Sequence, residues 1–266
     1  MNANVIRRSV VEPTFDGGPT PKRIGLILLA TDGTSERDFA RMTPAAEAAI
    51  FGARLAYENP TTPENLRRMQ PRLAETARLI LPGERLDAIC YCCTAASMVL
   101  GDDAVAAAVR EGKPGVPVVT PALAGRIGLE AVGARRISVL TPYLPETSAS
   151  VVSYFARHGF EVLNLDCFGL EDDRRMARVT PDAIVAAAER AVAPEAEALF
   201  ISCTALRAAE VAGEIEARIG RPVVTSNQAS VWLTLRYAGI VRPIEGYGRL
   251  MLSPMPDEAP MPSPVA

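Results

Sequence analysis

The chain has 266 residues, a formal net charge of −3 and 48% hydrophobic residues. That length suits one large domain or two small ones with a sizeable core. The charge argues against a nucleic-acid or anionic-membrane partner.

Residues 1–21 carry Pro, Gly and scattered charge without periodicity, and they read as a flexible lead-in. Arg7 and Arg8 are followed by Val10, Val11 and Glu12, not by the apolar core of an export signal. The apolar run 24–30 is too short to span a bilayer, so no membrane partner is expected and the default location is the cytoplasm. From there, short apolar β-branched runs alternate with longer Ala/Glu/Arg segments of helical period. The runs are 24–30, 54–58, 88–92, 116–120, 137–141, 162–166, 198–202 and 223–225. Near-continuous apolar strands separated by helices predict an α/β fold with parallel sheet covered on both faces. Tyr154-Phe155-Ala156-Arg157-His158-Gly159 reads as a helix ending at a Gly cap. His158, the single histidine, then has a structural place at the helix dipole. Residues 253–266 are Pro-rich and predict a disordered tail.

Three segments recur in the same order. Arg23-Ile24-Gly25-Leu26-Ile27-Leu28 resembles Arg136-Ile137-Ser138-Val139-Leu140. The stretch from Asp87 to Cys93-Thr94-Ala95 resembles that from Glu197 to Cys203-Thr204-Ala205. Pro117-Val118-Val119-Thr120 returns as Pro222-Val223-Val224-Thr225. The offsets of 113, 110 and 105 residues argue for a duplicated four-stranded α/β unit. Parallel strands resemble one another by composition, but Cys-Thr-Ala closing two equivalent strands is harder to reach that way.

The five cysteines are Cys90, Cys92, Cys93, Cys167 and Cys203. An odd number in a long chain without an export signal predicts free thiols. Cys90 and Cys167 read as small buried hydrophobes. Strand alternation sends Cys92 away from Cys93. A single histidine excludes a His-rich metal site, and no further Cys or His stands at ligand spacing around residues 90–93, so no metal is expected. No GxGxxG or P-loop is present, so no nucleotide cofactor is expected either.

In open parallel sheets, ligands bind beyond the carboxyl ends of the strands. Cys93 and Cys203 both fall there, each predicted to face the positive end of a following helix that lowers its thiol pKa. Thr94 and Thr204 add a hydroxyl and a backbone N–H beside each. Two opposed thiols suit proton removal from one face of a carbon and delivery to the other. They also suit attack by one thiolate on a double bond while the other thiol protonates. Asp32, Gly33 and Thr34, after the first strand, are candidate ligand-binding residues or an ordinary turn and N-cap. Tyr143, in Thr141-Pro142-Tyr143, is a candidate oxyanion donor or a core tyrosine.

With Cys-Thr-Ala, Thr-Pro-Tyr, Ser-Cys-Thr-Ala-Leu and Gly246-Tyr247-Gly248-Arg249-Leu250 in this order, residues 22–251 resemble the Asp/Glu racemase superfamily. Within it they are most similar to the maleate cis-trans isomerase and arylmalonate decarboxylase branch, ectoine-utilisation members included. The resemblance implies two pseudo-symmetric lobes, each a four-stranded parallel sheet flanked by helices, with the active site between them. The boundaries are 22–122 plus 225–252 for one lobe and 123–224 for the other. It implies Cys93 as nucleophile, Cys203 as acid/base and Tyr143 as a substrate contact. Arylmalonate decarboxylases keep only the second cysteine, so both together argue for isomerase or racemase chemistry. Two positions depart from the branch. Gly33, with Asp32 beside it, stands where an asparagine holds a substrate carboxylate, and Asp173 replaces a second asparagine. An acidic side chain repels a carboxylate where an amide donates to it. Asp32 and Asp173 therefore suit a substrate with an amino or amidinium group.

Three functions follow. The first is a cofactor-independent racemase or isomerase acting on a small amino-acid-like or ectoine-derived carboxylic acid. The second is maleate-type cis-trans isomerisation through a Cys93 adduct. The third is a non-catalytic small-molecule binder in the same two-lobed cleft. Ala-rich helices leave room for a homo-oligomer.

Overall fold

Continuous apolar runs bounded by Thr and Gly become central strands, and the Ala-rich segments between them become helices. The computed structural model describes residues 6–257 and 259. The first unit runs β1 (Lys22–Leu29), α1 (Ser35–Met42), β2 (Ala48–Leu55), α2 (Pro63–Arg67), α3 (Leu73–Arg78), β3 (Ala88–Cys92), α4 (Thr94–Leu100), α5 (Asp102–Gly112) and β4 (Val118–Val119). Helix α6 (Pro121–Ala131) follows. The second unit runs β5 (Arg136–Tyr143), α7 (Pro145–Arg157), β6 (Glu161–Leu170), α8 (Asp173–Met176), α9 (Pro181–Ala191), β7 (Ala198–Ile201), α10 (Ala212–Ile219) and β8 (Val223–Thr225). Helix α11 (Ser226–Tyr237) follows it.

Each unit is a four-stranded, all-parallel sheet. The orders are β2-β1-β3-β4 and β6-β5-β7-β8, the same topology twice. The duplicated unit expected from the repeats is present, and the fold is two lobes of parallel sheet flanked by helices. Every residue of β3 and of β7 is buried, because helices cover both faces. Thr120, just after β4, and Thr225, the last residue of β8, cap the next helices, their hydroxyls accepting from Leu123 N and Gln228 N. The two helices so started, α6 and α11, pack on each other and join the lobes.

Several expectations need correction. β2 occupies Ala48–Leu55 rather than 54–58; it is an edge strand, half exposed and interrupted by Gly52, so its apolar signal is weak. Cys167 is exposed, not a buried hydrophobe, because β6 is the edge of its sheet. Thr141-Pro142-Tyr143 lies within β5, at a register shift, rather than after it. The tail prediction is too broad at its start: the Ser253 carbonyl accepts from Trp232 Nε1 at 3.0 Å and Arg236 Nη2 at 2.8 Å. Residues 258 and 260–266 of that prediction, and residues 1–5 of the lead-in, lie outside the described residues. Residues 6–21 form no helix or strand. His158 ends α7 as expected, its Nδ1 at 2.8 Å from the Tyr154 carbonyl and Gly159 at φ +78°. Among the described residues, no helix is long and apolar enough to cross a membrane.

Candidate active site

β1 and β3 are adjacent at the centre of the first sheet, and β5 and β7 occupy the same positions in the second. Their carboxyl ends are the switch points at which such sheets bind ligands. Cys93 follows β3 directly, and Cys203 follows β7 after Ser202. Both thiols line one narrow cavity between the lobes, with only about 20 Å³ of space for a water-sized molecule. Thr94 enters it from the first lobe, and Tyr143 and Thr204 from the second. Asp32 and Asp173 complete the wall from opposite lobes.

The cysteines differ in backbone despite their matching positions. Cys93 is extended, with φ −151°, and is the N-cap residue of α4. Cys203 has φ +96°, in the left-handed region that L-residues avoid. The chain turns there instead of starting a helix; α10 begins only at Ala212. The expected helix dipole therefore reaches Cys93 but not Cys203. Neither thiol is lowered. Burial pushes both up to about 12. The Ala96 N–H opposes this at Cys93, as do the Ala205 N–H, the Tyr143 hydroxyl and the Leu206 N–H at Cys203. The Asp173 carboxylate raises both further. Desolvation of the buried thiols outweighs a few donors.

The carboxylates are held differently. Asp32 Oδ1 accepts from Thr34 N at 2.8 Å and Ser35 N at 2.9 Å, at the turn that leads into α1. Its Oδ2 is buried with no hydrogen-bond partner among the described residues, and burial raises its pKa. Asp173 accepts from Asn59 Nδ2 at 2.8 Å and from the Thr31 hydroxyl. None of the residues lining the cavity is Lys, Arg or His. Tyr143 is 2% exposed, and its hydroxyl oxygen lies 3.3 Å from Ser202 Oγ. Gly33 and Thr34 are not on the cavity wall; the Thr34 hydroxyl donates to the Ala205 carbonyl at 2.9 Å and ties the lobes together. Cys92 is buried, its sulfur 3.8 Å from the Cys90 carbonyl, and is not on the cavity wall. Among the described residues, no three His, Cys, Asp or Glu side chains are grouped to hold a metal ion.

Sequence reasoning missed the loop after β2. Tyr57 and Thr61 line the cavity, with their hydroxyls 2.7 Å apart. Asn59 fixes Asp173 from across the lobe boundary. The signal was available: this loop leaves the same sheet edge as the cysteine loops.

The sequence model of the arylmalonate decarboxylase family matches residues 24–251. An arylmalonate decarboxylase from Bordetella bronchiseptica is 29% identical over 235 residues, covering 85% of this chain and 95% of the relative. A maleate isomerase from Nocardia farcinica is 27% identical over 241 residues, covering 86% and 95%. Among solved structures, a cysteine-to-serine variant of the Nocardia farcinica maleate cis-trans isomerase carries a covalently bound succinylcysteine intermediate. It superposes with a TM-score of 0.79 at 25% identity, covering 86% of this chain and 98% of that one.

Proposed function

Because the chain belongs to the arylmalonate decarboxylase family, we propose that it is a cofactor-independent cysteine isomerase that interconverts the cis and trans forms of a small unsaturated carboxylic acid. The observation that carries this is the pair of thiols, Cys93 and Cys203, on the wall of one cavity between the lobes. The covalent cysteine adduct of the maleate isomerase relative supports it.

In this reading the elements of the Cys93 S–H add across the double bond. The sulfur bonds to one alkene carbon, and Cys203 delivers a proton to the other while taking up the Cys93 proton in exchange. The new single bond rotates. The reverse steps expel the Cys93 sulfur and restore both thiols, so atoms and protons balance without a co-reactant. Tyr143 and the backbone N–H groups near Cys203 stabilise charge that develops on the substrate carboxylate. The test is mass spectrometry of Cys203→Ser incubated with maleate and with its monoamide. A substrate-mass adduct on the Cys93 peptide, paired with turnover by the wild type, is the expected result. No adduct and no turnover for any unsaturated acid would sink the reading.

A second reading, racemisation of an amino-acid-like or ectoine-derived acid, is favoured by the unpartnered oxygen of Asp32 and the neighbouring Asp173. It predicts uptake of one deuterium from heavy water, lost in either Cys93→Ser or Cys203→Ser.

A further inference from the structure

The repeat that relates the two lobes ends differently in each. Pro121 follows the first Pro-Val-Val-Thr, and Ser226 follows the second. Ser226 is 1% exposed and opens α11, whose start is held by a reciprocal Thr225–Gln228 capping box. Its hydroxyl oxygen accepts the Cys203 N–H at 3.0 Å and the Thr94 hydroxyl at 2.8 Å. Thr94 is the neighbour of Cys93, so one oxygen ties both cysteine loops together. A proline at the equivalent place offers no such acceptor.

The adjoining contacts hold the same turn. Asn227 Nδ2 donates to the Thr204 carbonyl at 2.9 Å, and the Thr204 hydroxyl donates to the Cys92 carbonyl at 3.1 Å. Between these anchors Cys203 takes φ +96°, a strained conformation that persists only where its surroundings over-determine it. The outcome at the sulfur is specific: the Ala205 N–H lies 3.4 Å from Cys203 Sγ. Cys93, at φ −151°, needs no such restraint.

We propose that Ser226 is a positioning residue: its hydroxyl holds Cys203 in the left-handed conformation that aims the Ala205 N–H at the sulfur, and so supports the Cys203 thiolate whenever it forms. The assignment rests on the reading of Cys203 as a working thiol. It also accounts for two cysteines at matched positions taking different backbone conformations.

The test is peptide-resolved alkylation by iodoacetamide without substrate, at about pH 10, where thiolates begin to form. Ser226→Ala slows labelling of Cys203 about tenfold, the equivalent of one pH unit, and leaves Cys93 at its wild-type rate. Ser226→Thr keeps the hydroxyl and the Cys203 rate. An unchanged Cys203 in Ser226→Ala, or an equal change at Cys93, overturns the proposal. Should Ser226→Ala fail to fold, Thr94→Val is decisive: it removes one donor but leaves Ser226 on the Cys203 N–H, so Cys203 keeps its rate, and a slowed Cys203 overturns the assignment. Because no substrate is used, failure of the proposed reaction leaves this measurement readable.

Discussion

Asp38 offers a measurable link between the site and stability. It lies on α1, 2% exposed, and communicates with the cavity through Asn227. The Asn227 amide donates to Asp38 Oδ2 at 2.8 Å and to the Thr204 carbonyl at 2.9 Å. Burial raises the Asp38 pKa from 3.8 to about 6, against the opposing Asn227 hydrogen bond and the Arg37 charge. In the unfolded chain the usual value returns. Below about pH 4 the carboxyl is protonated in both states, and its contribution to stability is complete. Between about pH 4 and 6 the unfolded state ionises first, so stability falls as pH rises. A shift of about two units, at about 1.4 kcal/mol each, makes the full loss about 3 kcal/mol. Asp38→Asn removes the titration and keeps an oxygen for the Asn227 amide. The prediction is a variant that gains up to about 3 kcal/mol on wild type by about pH 7, relative to their difference at about pH 3.5. Urea denaturation of both proteins across that range measures it. A difference that does not change with pH, or one that moves the other way, would refute the reasoning.

Three further predictions concern the cavity. Cys203→Gly relieves the left-handed backbone and raises stability by about 1 kcal/mol in thermal denaturation while abolishing turnover; an equal loss of stability would count against strain at that residue. With both cavity thiols raised to about 12 and Cys167 exposed, a thiol reagent at neutral pH labels Cys167 first, and peptide mass spectrometry that finds Cys93 or Cys203 labelled earlier contradicts the protonated resting state. Asp32→Asn keeps an acceptor for the Thr34 and Ser35 N–H groups and turns the unpartnered oxygen into a donor, so maleate binds about tenfold tighter relative to its monoamide. Calorimetric titration of both acids checks that ratio.

What could be read in advance followed from local pattern. β1, β3, β7 and β8 are buried along almost their whole length, so their runs of Ile, Val and Leu stand out against the helices. The cysteine pair was legible because duplication wrote Cys-Thr-Ala twice. β2 was misplaced because an edge strand needs only one covered face, and Ala48–Leu55 alternates weakly around Gly52. Tyr57, Asn59 and Thr61 were missed because β2 was misplaced over 54–58, which hid the loop that leaves the shared sheet edge, and because the Asn59 partner Asp173 lies 114 positions away. The thiol shift also depends on closure: a donor near sulfur is visible in a sequence, but the exclusion of water is not. The left-handed turn at Cys203 carried no Gly or Asn to announce it.

Hydrogen bonds tie the loop after β2 to the second lobe beside the cavity. The Thr61 N–H donates to the Glu171 carbonyl at 2.8 Å, and the Thr147 hydroxyl donates to the Thr61 carbonyl at 2.9 Å. Asn59 adds its two contacts with Asp172 and Asp173. At about 1 kcal/mol net apiece, these bonds contribute a few kcal/mol to holding the loop after β2 against the second lobe. Any motion that parts the lobes at this loop must first break these bonds, so a substitution at Asn59 or Thr61 bears on turnover as well as on stability.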